Sequence, residues 1–211
     1  MKKVIIEATN LHKSYKMSKK NIVNALNGAD IKIMQGEFAA IIGPSGCGIS
    51  TLMHILGLLD RPDEGKLVID GLDIAKTKKN KLPGLRSKKI GFIFQGFNLI
   101  PTLSALENVV LAARYGGKKS KQAKRLAVEM LTKVGLGERM KHGPTELSGG
   151  QHQRVAIARA LINDPTVVLA DDPTGELDSK TSKEIITMLK ELNRKTGQTF
   201  LMVTHNLDVA K

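Results

Sequence analysis

The sequence has one cysteine, no tryptophan, two tyrosines and five phenylalanines in 211 residues. The lone thiol, Cys47, excludes an internal disulfide and fits a reducing compartment. So few aromatics argue against a single-strand nucleic-acid binder, which stacks bases on aromatic side chains. No run of 18 or more apolar residues occurs, so no segment of this sequence spans a membrane as a helix. The apolar run in "MKKVIIEATN" is too short for a secretory signal core. Acids are also scarce: 20 against 33 basic residues, for a formal net charge of +13. That balance favours an anionic partner, whether nucleotide, nucleic acid or lipid surface. The lysine runs "GGKKSKQAKR" (116–125) and "KTKKNK" (76–81) read more simply as solvated helix faces, because no aromatics interleave them.

What the chain does have is length and apolar content (41%) enough to bury a proper core. Residues 3–8 and 29–35 alternate or run apolar over strand lengths and predict an antiparallel β layer near the N-terminus. "GEFAAIIG" (36–43) is a continuous apolar run between glycines, as expected of a strand buried on both faces. Leu52, Ile55, Leu56 and Leu59 recur at helical spacing. "KIGFIFQ" (89–95), "TVVLADD" (166–172) and "QTFLMVTH" (198–205) read as further strands. From about 103 to 162 the pattern is helical, with caps at Ser104 and Ser148, and Gly197 stops a helix over 179–197. This order predicts an α/β fold with a parallel core sheet and a helical subdomain near 95–160.

Three stretches carry chemistry. In "GPSGCGIS" (43–50) the glycines let successive backbone N–H groups point at a phosphate, and the helix beginning near Ile49 adds its positive dipole end. Ser50 can place a hydroxyl on Mg²⁺. "TVVLADD" ends a buried strand in Asp171, an oxygen ligand for the same ion, and Asp172 is placed to polarise an attacking water. The same residues are also good turn chemistry. In "ELSGGQHQRVAIARAL" (146–161), Ser148 caps a helix and Gly149 and Gly150 permit close approach to an anion at its start. A capped amphipathic helix explains the cap but not the paired glycines followed by Gln151, Gln153 and Arg154.

Together these stretches resemble the nucleotide-binding subunits of ABC transporters. "GPSGCGIS" resembles Walker A, "VVLADD" Walker B and "LSGGQ" (147–151) the family signature. Gln95 in "FIFQG" is similar to the Q-loop glutamine, "ELDS" (176–179) to the D-loop, His205 in "VTHN" to the switch histidine, and Tyr15 in "LHKSYKM" to the aromatic that stacks on adenine. The motifs stand in the family's order from residue 15 to 205. "FNLIPTLSALENV" (97–109) and "RPDEGKLVIDG" (61–71) resemble the branch serving lipoprotein release and macrolide export.

The resemblance implies a P-loop NTPase ABC cassette: one ATP-binding domain over 1–211, with a catalytic core of 1–94 and 163–211 and a helical subdomain of about 95–162. It implies ATP and Mg²⁺ as cofactors and a second nucleotide-binding domain as a head-to-tail partner. An integral-membrane permease would be the other partner, and the chain would be cytoplasmic, peripheral on the inner face of the cell membrane. Nucleic acid is not an expected partner, since the coiled-coil insertion, zinc site or tandem cassettes of nucleic-acid-associated relatives are missing. Carried onto this chain, the cofactor-binding residues are Tyr15, Gly43, Pro44, Ser45, Gly46, Cys47, Gly48, Ile49, Ser50, Thr51, Ser148, Gly149, Gly150, Gln151 and Asp178. The metal residues are Ser50, Gln95 and Asp171, and the catalytic residues Asp172, Gln95 and His205.

Three departures bear on activity. Ile49 stands where the family has the lysine that bridges the β- and γ-phosphates. Asp172 stands where it has a catalytic glutamate, one methylene longer. The sequence ends at "NLDVAK", where relatives continue with further strand and helix, so the end of the usual cassette is expected to be missing. The first two departures imply impaired hydrolysis. The alternative is a non-hydrolysing ATP-binding module that regulates a partner.

Overall fold

The structure, a computed structural model, describes residues 2–18, 21–44 and 46–204. Two long strands open the chain, β1 (Val4–Lys16) and β2 (Ile22–Met34), paired antiparallel. They run well beyond the segments that alternation predicts. The added stretch of β1, from Thr9 to Lys16, is mostly polar on both faces, so no hydrophobic period marks it. Its ladder to β2 holds it instead, with register shifts between Ala8 and Leu11 where Asn10 takes φ 51°.

Next come β3 (Phe38–Ile41), α1 (Ile49–Leu56), β4 (Glu64–Ile69), β5 (Leu72–Asp73), α2 (Leu82–Lys89) and β6 (Ile90–Ile93). Three helices follow, α3 (Ala105–Tyr115), α4 (Ser120–Lys133) and α5 (Gly149–Leu161), and the described chain closes with β7 (Val167–Asp171), α6 (Ser179–Thr196) and β8 (Thr199–Val203). Helix α2 carries no apolar period: Leu82 is its one buried residue, and Pro83 sits in its first turn. Proline is tolerated there because first-turn N–H groups have no intrahelical acceptor. The expected caps are present. Ser104 and Ser148 each form a reciprocal capping box, with Glu107 and Gln151, and Gly197 ends α6 at φ 69°.

Strands β2-β1-β4-β5 form the antiparallel sheet and β3-β8-β7-β6 a parallel one. Alternate residues of the parallel strands face opposite layers. Leu169, Leu201 and Val203 pack with Ile6, Leu11, Ile55 and Ile69, between the two sheets. Val168, Ala170, Phe200 and Met202 pack with Val109, Ala127, Val155 and Ile185 of the helices. Burial on both faces is why these strands read as unbroken apolar runs. Each fully buried Leu or Ile contributes about 1.5–3 kcal/mol, so these two layers stabilise the fold and fix the strand ends.

Candidate nucleotide site

Register places the motifs at one edge. Ile41 of β3 and Asp171 of β7 both pair with Val203 of β8, so the loop after β3 and the acid ending β7 emerge on either side of one strand. Two strand spacings put them roughly 10 Å apart. β6 lies beyond β7, and Gln95 follows its end. The N–H of Asp172 donates to Val203 O at 2.9 Å and that of Thr204 to Ile41 O at 3.3 Å, which continues the ladder past the strands. Open parallel sheets bind ligands at their carboxyl ends, and there the loop, Asp171, Asp172 and Gln95 gather.

The loop keeps the backbone form of a phosphate cradle. Gly46 and Gly48 take φ of 84° and 90°, which only glycine adopts without strain. Gly48 also passes against the Ala25 carbonyl of β2, where a β-carbon would collide. Among the described residues no side chain caps α1 and no acid occupies its first turn, so its N-terminal N–H groups are left to an anion. Pro44, Gly46, Cys47 and Ser50 are exposed, and the Cys47 N–H closes a turn on Pro44 O. Ile49 bends back across the start of the loop: its Cδ1 lies 2.7 Å, and Cys47 Sγ 2.9 Å, from where a Gly43 β-carbon would be. An apolar branch therefore covers the arc from α1 to Gly43. Ser45 and His205 lie outside the described residues.

Asp172 sits at φ 40°, a left-handed conformation uncommon for a residue with a side chain. That bend turns its carboxylate over the following turn, where Gly175 N–H donates to Asp172 O at 3.1 Å. Asp172 Oδ2 and Gln95 Nε2 lie 2.7 and 2.9 Å from where a Gly175 β-carbon would be, so acid and amide converge on one spot. Among the described residues no group of three or more His, Cys, Asp or Glu is arranged to hold a metal ion by itself. The oxygen donors Ser50 and Asp171 suit Mg²⁺, which binds by one or two protein ligands completed by phosphate and water. The residues present thus fit a magnesium–polyphosphate ligand through backbone, hydroxyl and carboxylate, without a lysine.

Tyr15, on β1, is half-buried. Its hydroxyl donates to Asp60 Oδ2 at 2.8 Å, with Thr51 of α1 also beside it. Burial, then Asp60, pushes the phenol pKa up. Burial alone would raise Asp60, but hydrogen bonds from the Arg61 N–H, Tyr15 and Lys13 outweigh it and hold the carboxyl below its usual range. Lys13 Nζ lies 5.3 Å from the Tyr15 ring centroid. The network ties the antiparallel sheet to the segment after α1.

The signature stretch lies at the start of α5. Ser148 Oγ accepts from the Gln151 N–H at 3.3 Å and Gln151 Oε1 accepts from the Ser148 N–H at 2.9 Å. Gly149 and Gly150 pack closely against the segment leading into the first turn of α6: β-carbons there would come 3.1 Å from Leu177 Cδ2 and 2.6 Å from Thr181 Cγ2. Asp178 caps α6, accepting from the Lys180 and Thr181 N–H groups at 3.0 Å each and from Thr181 Oγ1 at 2.6 Å. The Thr181 hydroxyl and N–H lower its pKa.

Two residues outside the expected site set, Arg159 and Gln153, join these parts. Arg159 of α5 donates from Nη2 to Phe97 O at 2.7 Å and from Nη1 to Asn98 O. Phe97 and Asn98 are consecutive left-handed residues, φ 59° and 50°, just after Gln95. Gln153, fully buried, donates from Nε2 to Pro173 O at 2.6 Å, which binds α5 to the turn after Asp172. A charged residue inside the apolar run "VAIARAL" was the one available signal for Arg159.

A glycine loop between strand and helix at the carboxyl end of a parallel sheet, with an acid ending a nearby strand, defines a P-loop nucleotide-binding fold. The ABC transporter family profile matches residues 26–175, and the chain belongs to that family. An uncharacterized ABC transporter ATP-binding protein of Thermotoga maritima is 50% identical over 209 residues, 99% of this chain and 88% of that one. The lipoprotein-releasing system ATP-binding protein LolD of Bacteroides fragilis is 48% identical over 189 residues, 90% of this chain and 88% of LolD. Names of this kind place the chain in the LolD/MacB-like branch. A dimeric post-hydrolysis structure of the ATP-binding cassette MJ0796 of Methanocaldococcus jannaschii, bound to ADP and Pi, superposes with a TM-score of 0.88 at 45% identity. It covers 98% of this chain and 90% of that one.

Proposed function

We propose that this chain is the ATP-binding subunit of a transporter, binding ATP with Mg²⁺ at a head-to-tail dimer interface to drive a membrane permease, with hydrolysis impaired. The observation that carries the reading is the meeting of the phosphate loop, Asp171, Asp172 and Gln95 at one sheet edge. In this reading the backbone N–H groups at Gly46, Gly48 and the start of α1 would hold the phosphates, Ser50 and Asp171 would hold the metal ion, and Tyr15 would stack on the base. The magnesium ion, when bound, neutralises charge developing on the phosphates. Asp172 accepts a proton from, and orients, the attacking water, and Gln95 positions that water and the ion. His205 would contact the terminal phosphate, and Asp178 would report across the interface. Ser148, exposed at the N-terminus of α5, offers the second phosphate site to the partner copy.

The impairment follows from two side chains. Ile49 supplies no charge to the phosphates, and a hydrogen bond to a charged group contributes about 1.5–3 kcal/mol. Asp172 is one methylene shorter than glutamate, and misplacing a catalytic base lowers the rate steeply. We place the catalytic core at 1–94 and 163–211, with 95–162 as the helical part that passes the site's state to the permease at the inner membrane face. The second reading, a non-hydrolysing module beside an active subunit, is favoured by those same two residues. The test is hydrolysis of radiolabelled ATP by the purified chain beside its Ile49→Lys, Asp172→Glu double variant. The variant is expected to be faster by at least tenfold. Equal rates overturn the impairment, and no hydrolysis by either favours the second reading.

A further inference from the structure

Gln153 is the only polar residue among the buried positions of α5. Its amide is used at one end only. Nε2 donates to Pro173 O at 2.6 Å, while Oε1, also buried, has no partner among the described residues. Asn108, the other buried amide side chain, uses both ends. Its Oδ1 accepts from the Ile100 N–H, and its Nδ2 donates to the carbonyls of Ile100, Leu103 and Ser104. A buried acceptor without a donor destabilises the fold. A residue that breaks this rule points to function. What the glutamine adds is a directional hold on the carbonyl one residue after Asp172.

That hold falls on the segment carrying the acid. Pro173 is buried and has no N–H, so its carbonyl is its one backbone hydrogen-bonding group, and Gln153 takes it. Around it the Gly175 N–H closes on Asp172 O and the Leu177 N–H on Thr174 O, each at 3.1 Å. The first turn of α5 meets the same segment further on, Gly149 at Leu177 and Gly150 at Thr181. Residues 150 and 153, three apart, share one face of the helix. At its exposed start stands Ser148. Five residues on, a rise of roughly 7.5 Å along one helix, Gln153 grips the turn. A displacement of that start is therefore carried to Pro173.

We propose that Gln153 is a positioning residue that makes the setting of Asp172 depend on what the start of α5 contacts. That contact is the nucleotide held by a second copy of this chain, received at Ser148. When it docks, α5 settles and draws Pro173 with it, and the Asp172 carboxylate is fixed beside the Gln95 amide over Gly175. A nucleotide in one site thereby prepares the base of the other. The proposal rests on the head-to-tail reading of the function and adds a route, within one helix, by which the paired sites are coupled.

The test is amide exchange of the full chain with ATP and Mg²⁺, read by mass spectrometry at protein concentrations below and above pairing. Sedimentation of the same samples reads the pairing itself. In the unmodified chain, exchange over 172–177 is expected to slow roughly threefold or more on pairing, the effect of one net hydrogen bond. Gln153→Met conserves volume and removes both polar atoms. It should pair with an unchanged dissociation constant and lose that slowing. The Lys180 and Thr181 N–H groups, held by Asp178, should stay as protected as before, which general loosening would not allow. Gln153→Leu gives the same reading should the methionine variant unfold. Slowing over 172–177 that survives in the variants, or equal loosening over 172–181, overturns the proposal. So does pairing of the unmodified chain without slowing there. A chain that does not pair with ATP overturns the functional reading and this proposal together, so the two failures are told apart.

Discussion

Ile49 Cδ1 lies 2.7 Å from where a β-carbon on Gly43 would be, so the first side chain of α1 closes back over the start of the phosphate loop. A lysine there would send its ammonium along the same arc towards the phosphates. Ile49→Lys is therefore expected to tighten ATP binding roughly ten- to a hundredfold, by one hydrogen bond to a charged group. Isothermal titration with ATP and Mg²⁺ reads this directly. An unchanged dissociation constant would mean that the backbone cradle already supplies the affinity.

Arg159 is expected to hold the loop after Gln95 in its left-handed form. Arg159→Ala leaves the Phe97 and Asn98 carbonyls without their guanidinium and should cost about 3 kcal/mol in urea unfolding. Amide exchange over 96–99 should quicken more than in the parallel sheet, and Arg159→Lys should recover part of both effects. Uniform exchange across the chain would reduce Arg159 to a general packing residue.

Gly150→Ala tests the contact between α5 and α6. Its β-carbon would come 2.6 Å from Thr181 Cγ2, and overpacking of this kind costs roughly 1–3 kcal/mol. Adding Thr181→Ser removes that methyl group and keeps the hydroxyl that donates to Asp178. The double variant should regain most of the lost melting temperature. Were Gly150→Ala stable but slow to dimerise with ATP, the glycine would serve the phosphate rather than the packing.

Asp178 gives the pH dependence a sign. Its pKa is lowered by the Thr181 hydroxyl and N–H, so the charged form is favoured in the fold. Its contribution is fully present above the unfolded value of about 3.9 and is lost as pH falls through the lower folded value. Asp178→Asn should narrow the stability difference between neutral and acid pH, seen in melts from pH 7 to pH 2. A larger acid sensitivity in the variant would contradict the cap's role.

Much of the architecture was legible because both faces of the parallel sheet are buried and its strands stand out as apolar runs. Ser104, Ser148 and Gly197 marked helix ends through short-range chemistry that acts within a few residues. The distal half of β1 escaped because its pairing is made by backbone, and α2 because a helix with one buried residue leaves no period.

A glycine loop before a helix, acids at a strand end, a capped LSGGQ helix and a large cationic excess are each written in neighbouring residues. Which of them meet is a matter of the folded arrangement. Strand order set the loop, Asp171 and Gln95 at one edge. The turn of Asp172 brought its carboxylate to the Gln95 amide over Gly175, and Asn163 tied the end of α2 to the last turns of α3. Such meetings depend on contacts between residues tens of positions apart, which hydrophobic period and local capping do not encode.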